Sequence, residues 1–176
     1  MLNGTVEVDE TFVGGKRSCK RGRGAIGKSV VIIDVEVQEK ATGRIRLSLI
    51  PNASKKSLHV FIKDNIEKEA TIITDDWRGY SNINKAGYNH VIENKKVKEG
   101  DEEIFPHVHR VASLLKRWLL GAHQSYLNKN KLEYYLDEYT IRYNRRISNS
   151  RGLLFYRLIE QAVVHNPVTF KEIVNQ

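Results

Sequence analysis

"SKKSLHVFIKDNIEKEATIITDD", residues 54–76, is the stretch that decides the fold class. Leu58, Phe61, Ile62 and Ile66 recur at the spacing of one helical face, and Ser54 stands where an N-cap belongs. "ATIITD", residues 70–75, follows at once as a short apolar run, the mark of a buried strand. Read with the strands that precede it, this helix is the crossover that brings the strand "ATIITD" parallel to the first.

Three strands precede it. "GTVEVDETFVGG" (4–15) is rich in Val, Thr and Phe and reads as a strand ending at Gly14-Gly15. A basic, glycine-rich loop follows at 16–28, then a second strand, "SVVIIDVEVQ" (29–38). "ATG" (41–43) reads as a turn. "RIRLSLIPN" (44–52) alternates as a third strand, with Ile45, Leu47 and Leu49 on one face and Arg44, Arg46 and Ser48 on the other. Short links make these three an antiparallel meander. Downstream come a short helix at 77–87 closed by Gly87, a fifth strand at 88–93 and a charged loop at 94–103. Helices then occupy 107–121, 129–146, 153–166 and 167–174.

This order predicts an α/β, RNase H-like (retroviral-integrase-like) fold. A mixed five-stranded sheet is flanked by helices, the first strand is central, the fourth lies parallel beside it, and extra helices follow at the C-terminus. No repeat or linker interrupts the chain, so 1–176 is expected to be one domain.

The chain has 176 residues, with Lys plus Arg 29 against Asp plus Glu 21 and a net charge of +8. That balance favours an anionic partner, nucleic acid being the commonest. The single cysteine, Cys19, excludes a disulfide framework and a cysteine-rich zinc site. No apolar run approaches the roughly 18 residues of a membrane span, and the N-terminus has no apolar signal segment. A cytoplasmic protein is expected. "GRGAIGKS" (22–29) matches the phosphate-loop pattern letter for letter, but a basic loop precedes it and a β-branched run follows it. That chemistry needs a helix N-terminus aimed at phosphate, so the match is a decoy.

Asp9 lies in the first strand and Asp75 ends the fourth. Neighbouring strands would bring these two carboxylates together, and side-by-side carboxylates are tolerable with Mg²⁺ or Mn²⁺ between them. Asp75 directly follows the apolar "IIT", whereas Asp76 would point the other way. In "HVHRVASLLKRWLLG" (107–121), His109 and Lys116 stand nearly two turns apart on one helix face. Val108, Val111, Leu114, Leu115 and Leu119 supply the packing face. A third ligand is expected on this helix, with His109, His107 and the remoter His123 as candidates. Arg78, Lys116, Arg117, Arg142, Arg145 and Arg146 are candidates for phosphate contacts. Trp77 and Tyr80 are candidates for base stacking, with core packing the stronger reading for Tyr80. Glu138 is read as structural and only weakly as a further ligand, and Glu10 points away from Asp9 and is not read as one.

"VEVDETFVGGK" (6–16), "TDDWRGY" (74–80), "HRVASLLKRWLLG" (109–121) and "YLDEYTIRYNRR" (135–146), in this order, resemble the catalytic domain of bacterial insertion-sequence transposases of the ISXO-type group. The resemblance runs from about residue 5 to residue 160. It implies a DDE-type enzyme of RNase H-like fold. Such an enzyme cuts DNA at element ends and joins the 3′ ends to target DNA with divalent metal, Mg²⁺ or Mn²⁺, two ions being expected. Carried over, the first two acids of the family fall on Asp9 and Asp75. The third ligand falls on His109, a position where the group varies among Glu, Asn and His, and the basic residue falls on Lys116. Family members carry a zinc ribbon and a helix-turn-helix region ahead of this domain. Here the sequence begins at the first catalytic strand, so a chain without those parts is expected. The expected partners are DNA (element ends and target) and a second copy or more on paired ends, with no membrane. Imidazole in place of carboxylate predicts a preference for Mn²⁺ over Mg²⁺. A non-catalytic DNA-binding remnant and a structure-selective nuclease of the same fold are the alternatives.

Overall fold

A computed structural model of the chain describes residues 1–14, 28–39, 41–93, 104–123 and 129–174. Most of the basic loop and all of the charged loop at 94–103 lie outside the described residues. Five strands form one sheet in the order β3-β2-β1-β4-β5. β1 (Thr5–Val13), β2 (Ser29–Gln38) and β3 (Ala41–Ile50) pair antiparallel in sequence, as the meander requires. α1 (Lys55–Asn65) then crosses over to β4 (Thr71–Thr74), which pairs parallel with β1, and β4 pairs parallel with β5 (Asn89–Ile92). β1 is central, and the fold is RNase H-like.

Alternation along β1 sorts its side chains between two cores. Val6 and Val8 join α1's Leu58, Phe61 and Ile62 on one side of the sheet. On the other side, Val13, Ile33, Val35 and Ile45 meet α2 (Pro106–His123) and α3 (Leu132–Asn144) through Val108, Val111, Leu115, Leu119, Leu132 and Leu136. Glu7 and Asp9 share this second side with Val13, so Asp9 faces α2.

The differences from expectation are local. Ser54 caps α1, its hydroxyl accepting from the Ser57 N–H at 3.4 Å, but the helix ends at Asn65 rather than Glu69. Ile66 turns extended and bridges Leu2, whose N–H donates to the Asn65 carbonyl at 2.7 Å. Ala41–Gly43 is not a turn: Ala41 and Thr42 pair with Gln38 and Val37 across a bulge at Glu36. The reversal falls earlier, where Glu39 takes φ 49°. At Gly43 a Cβ would lie 2.8 Å from the Glu36 Cβ, so the bulge brings backbone and side chain too close for any other residue. The helix expected at 77–87 is two 3₁₀ turns, Arg78–Tyr80 and Asn84–Ala86, the second closed by Gly87 at φ 95°.

The sequence reading takes 1–176 as one domain. The chain groups into two compact units, Met1–Asn144 and Arg145–Gln176. The division falls in the polar run "RRISNS", residues 145–150, which has no apolar stripe to carry a core across it. The second unit contains α4 (Arg151–Val164) and α5 (Phe170–Val174). At the start of α5, Thr169 and Glu172 form a reciprocal capping box, the Thr169 N–H donating to the Glu172 carboxylate at 2.7 Å. Within the first unit, Asn144 ends α3 against the outer strand. Its side chain accepts from the Ile45 N–H at 2.8 Å and donates to the Ile45 carbonyl at 3.1 Å. This closes part of the open edge of β3.

Gly79 is the tightest point of the connection after β4. A Cβ there would lie 2.6 Å from Leu58 Cδ1 and 2.7 Å from Trp77 Nε1. Gly79→Ala is therefore expected to destabilise the protein by about 1–3 kcal/mol, the usual cost of overpacking, read as a fall in the urea midpoint. An unchanged midpoint would show that Leu58 and Trp77 yield freely.

Candidate active site

Asp9 sits in the middle of β1, opposite Ile33 of β2 and just past the end of the pairing with β4, half-buried on the side of the sheet that faces α2. Its Oδ1 accepts from the Glu10 N–H at 2.8 Å. Its Oδ2 lies 3.7 Å from His109 Nε2, an electrostatic contact longer than a hydrogen bond. Burial, and then the charges of Glu10 and Asp75, push the Asp9 carboxyl up to about 6. The Asp75 side chain accepts from the Trp77 N–H at 3.1 Å, the turn chemistry expected of Asp at a strand end. Asp76 is exposed.

α2 runs along one wall of a cleft of about 340 Å³ bounded by Asp9, Thr11, His109, Ser113 and Lys116. The helical period places His109 and Lys116 toward the cleft while Val108, Val111, Leu115 and Leu119 turn into the core. Partial burial and repulsion by Lys28 hold the Lys116 ammonium below its usual range, and Asp9 pulls in the opposite direction. Lys28, the last residue of the basic loop, thus stands within electrostatic reach of the same cleft.

The other candidates separate. His107 turns to β3, its Nδ1 3.0 Å from the Thr42 hydroxyl. His123 stacks on Tyr135 with ring centroids 4.0 Å apart, at the far end of α2. Tyr80 is buried and donates to the Glu10 carboxylate at 2.8 Å, so it is a core residue rather than a stacking platform. Trp77 packs at the edge of the α1-side core, and its indole N–H donates to the Ala53 carbonyl at 2.9 Å. Arg142 pairs with Glu138 one turn earlier at 2.8 Å, which gives Glu138 a structural partner. Arg78 and Arg117 are exposed, and Arg145 and Arg146 belong to the second unit.

Asp75 does not line the cleft, and among the described residues no three acids or histidines converge as one ligand cluster. The donor chemistry nevertheless fits a divalent cation. Asp9 carries a half-buried carboxyl whose ionisation is opposed by two neighbouring acids, and an imidazole stands beside it.

One acid in this neighbourhood went unread in the sequence: Glu7, two residues before Asp9 on the same face of β1 and 4% exposed. Its Oε2 accepts from the Val108 N–H at 2.8 Å. Burial pushes its carboxyl up, and hydrogen bonds from the Val108 and His107 backbone pull it back down. The alternation of "VEVDE" already puts Glu7 beside Asp9, but only the packing of α2 shows what it touches.

The family model of the ISXO2-like transposase domain matches residues 1–144, the whole of the first unit. Among curated proteins none matches. Among solved structures, the catalytic core domain of BIV integrase is similar to this chain at 13% identity and a TM-score of 0.53, covering 93% of this chain and 99% of that one. A chain of a simian T-cell lymphotropic virus intasome, solved in complex with PP2A regulatory subunit B56 gamma, is similar at 13% identity and a TM-score of 0.56, covering 85% of this chain and 51% of that one. At such identity these likenesses speak for the fold.

Proposed function

The chain belongs to the ISXO2-like transposase family and is a DDE-type polynucleotidyl transferase domain, and from that premise we propose that it cleaves DNA at insertion-sequence ends and joins the 3′ ends to target DNA. The observation that carries the proposal is the meeting of Asp9 and His109 at 3.7 Å at the mouth of a cleft bordered by Lys116. Asp9, Asp75 and His109 would hold divalent metal, Mg²⁺ or Mn²⁺. When bound, a pair of such ions supplies an activated attacking oxygen and stabilisation of the leaving oxygen.

The chain's own residues do the rest. Asp9 presents a carboxylate from a rigid central strand. His109 offers an imidazole nitrogen from the first turns of α2. Lys116, held near the acids without a carboxylate of its own in hydrogen-bond reach among the described residues, is placed to contact the DNA backbone. Arg78 and Arg117, both exposed, and Arg145 and Arg146 of the second unit are the further residues proposed to contact phosphate, and the part-buried Trp77, its indole N–H held by Ala53, is proposed to stack on a base. Pairing of two element ends calls for a dimer or larger assembly. No helix among the described residues is long and apolar enough to cross a membrane.

The test is nicking of element-end DNA by the intact chain in Mn²⁺. With a nitrogen ligand at the third position, Mn²⁺ is expected to support more activity than Mg²⁺. Equal or greater activity in Mg²⁺ counts against His109 as a ligand. Lys116→Ala is expected to weaken DNA binding about uniformly across sequences and to lower the slope of log affinity against log salt by about 1. A slope unchanged by the substitution removes Lys116 from the phosphate contacts.

A further inference from the structure

α2 begins without a cap of its own. Phe105, which precedes its first residue, has no side-chain oxygen and takes φ 61°, a left-handed conformation that costs energy for a bulky residue. Pro106 opens the helix and has no N–H to satisfy. The next two N–H groups, on His107 and Val108, have no partner within the helix. Val108 N donates to Glu7 Oε2 at 2.8 Å across 101 positions of sequence, and the same carboxylate faces the His107 N–H. A carboxylate from the central strand thus caps the helix, where the helix dipole also favours it.

The residue immediately after this cap is His109, whose N–H makes the first helical bond, to the Phe105 carbonyl at 3.1 Å. The Phe105 ring stands edge-on to the His109 ring, with centroids 6.1 Å apart. β1 therefore carries Asp9 and, two residues earlier, the group that fixes the helix turn bearing His109. We infer that Glu7 is a positioning residue: by capping α2 across the core it sets the reach of His109 toward Asp9 and thereby the metal affinity of the pair. The inference rests on the reading of His109 as a ligand.

Mn²⁺ binding to the intact chain, followed by loss of the free-ion electron paramagnetic resonance signal, tests it. Glu7→Gln keeps an acceptor oxygen and is expected to bind Mn²⁺ as the wild type does. Glu7→Met keeps the length without the acceptor. It is expected to lose about tenfold or more in affinity, the usual effect of removing a group that orients a ligand, and to exchange the Val108 amide faster. Val108→Pro removes the donor instead, in a first turn that tolerates proline, and is expected to weaken Mn²⁺ similarly. In a His109→Ala background, adding Glu7→Met is expected to change nothing further. Equal weakening by Glu7→Met in both backgrounds overturns the inference, because Glu7 then acts without His109. So does wild-type affinity in both Glu7→Met and Val108→Pro while His109→Ala binds weakly. Wild-type affinity in His109→Ala itself removes the ligand reading first, and the inference with it.

Discussion

Asp9→Asn is expected to leave a folded protein that no longer nicks DNA. The substitution preserves shape and removes only the charge. Transition-state charge stabilisation by a bound metal is worth several kcal/mol. At about 1.4 kcal/mol per factor of ten, a loss of about 4 kcal/mol is a fall of roughly a thousandfold in the cleavage rate. The same variant is expected to unfold at a higher temperature than the wild type at neutral pH. Burial and the charges of Glu10 and Asp75 oppose ionisation of Asp9, and a neutral amide relieves all three. The two readouts together distinguish a functional acid from a structural one. A structural Asp9 would lose stability on substitution and keep its rate.

Asp34→Asn is expected to flatten part of the stability profile against pH. Asp34 lies in β2 opposite Val8 and Arg46, on the α1 side of the sheet. It has no exposed surface, and among the described residues neither carboxyl oxygen has a hydrogen-bond partner. Burial drives its carboxyl well above its ordinary 3.8, against a smaller opposing pull from Arg46. A carboxyl raised on folding binds its proton more tightly in the native state than in the unfolded chain. Its favourable contribution is therefore complete below the unfolded value and is lost as pH rises toward the folded one. Chemical denaturation of wild type and variant from pH 4 to 9 reads this directly. Above about pH 4 the wild type should lose stability relative to Asp34→Asn, with a slope of up to about 1.4 kcal/mol per pH unit, the limit for one proton. Parallel profiles would mean that Asp34 has the same proton affinity folded and unfolded.

The crossover was legible because periodicity changes within 54–76, from the helical spacing of Leu58, Phe61 and Ile62 to the unbroken apolar run of β4. β2 was legible to the residue, since "SVVIIDVEVQ" is bounded on both sides by charged or turn-forming residues. Two of the misread stretches depend on pairing that composition does not reveal. Ala41–Gly43 has the composition of a turn, but strand pairing across the Glu36 bulge overrides it. Residues 66–69 continue the helical pattern of α1, yet Ile66 is drawn into a bridge with Leu2.

The candidate site divides in the same way. Asp9, Asp75, Lys116 and a set of candidate histidines could be named from one-dimensional signals: an acid within a strand, an acid ending one, and polar residues on the face of an amphipathic helix opposite its apolar stripe. Those signals are local because side-chain direction follows from backbone period alone. The choice between His107 and His109 was not local. Both begin the same helix, and only the docking of α2 on the sheet turns one to Thr42 and the other to Asp9. Glu7 was invisible for the same reason, since a helix cap supplied from 101 positions away leaves no trace near either partner. The sequence by itself determined the order of elements, the faces of each strand and helix, and the residue types available for the chemistry. The tertiary structure alone decided which histidine stands near the Asp9 carboxylate and which acid caps its helix, because those outcomes depend on the distance between two packed surfaces.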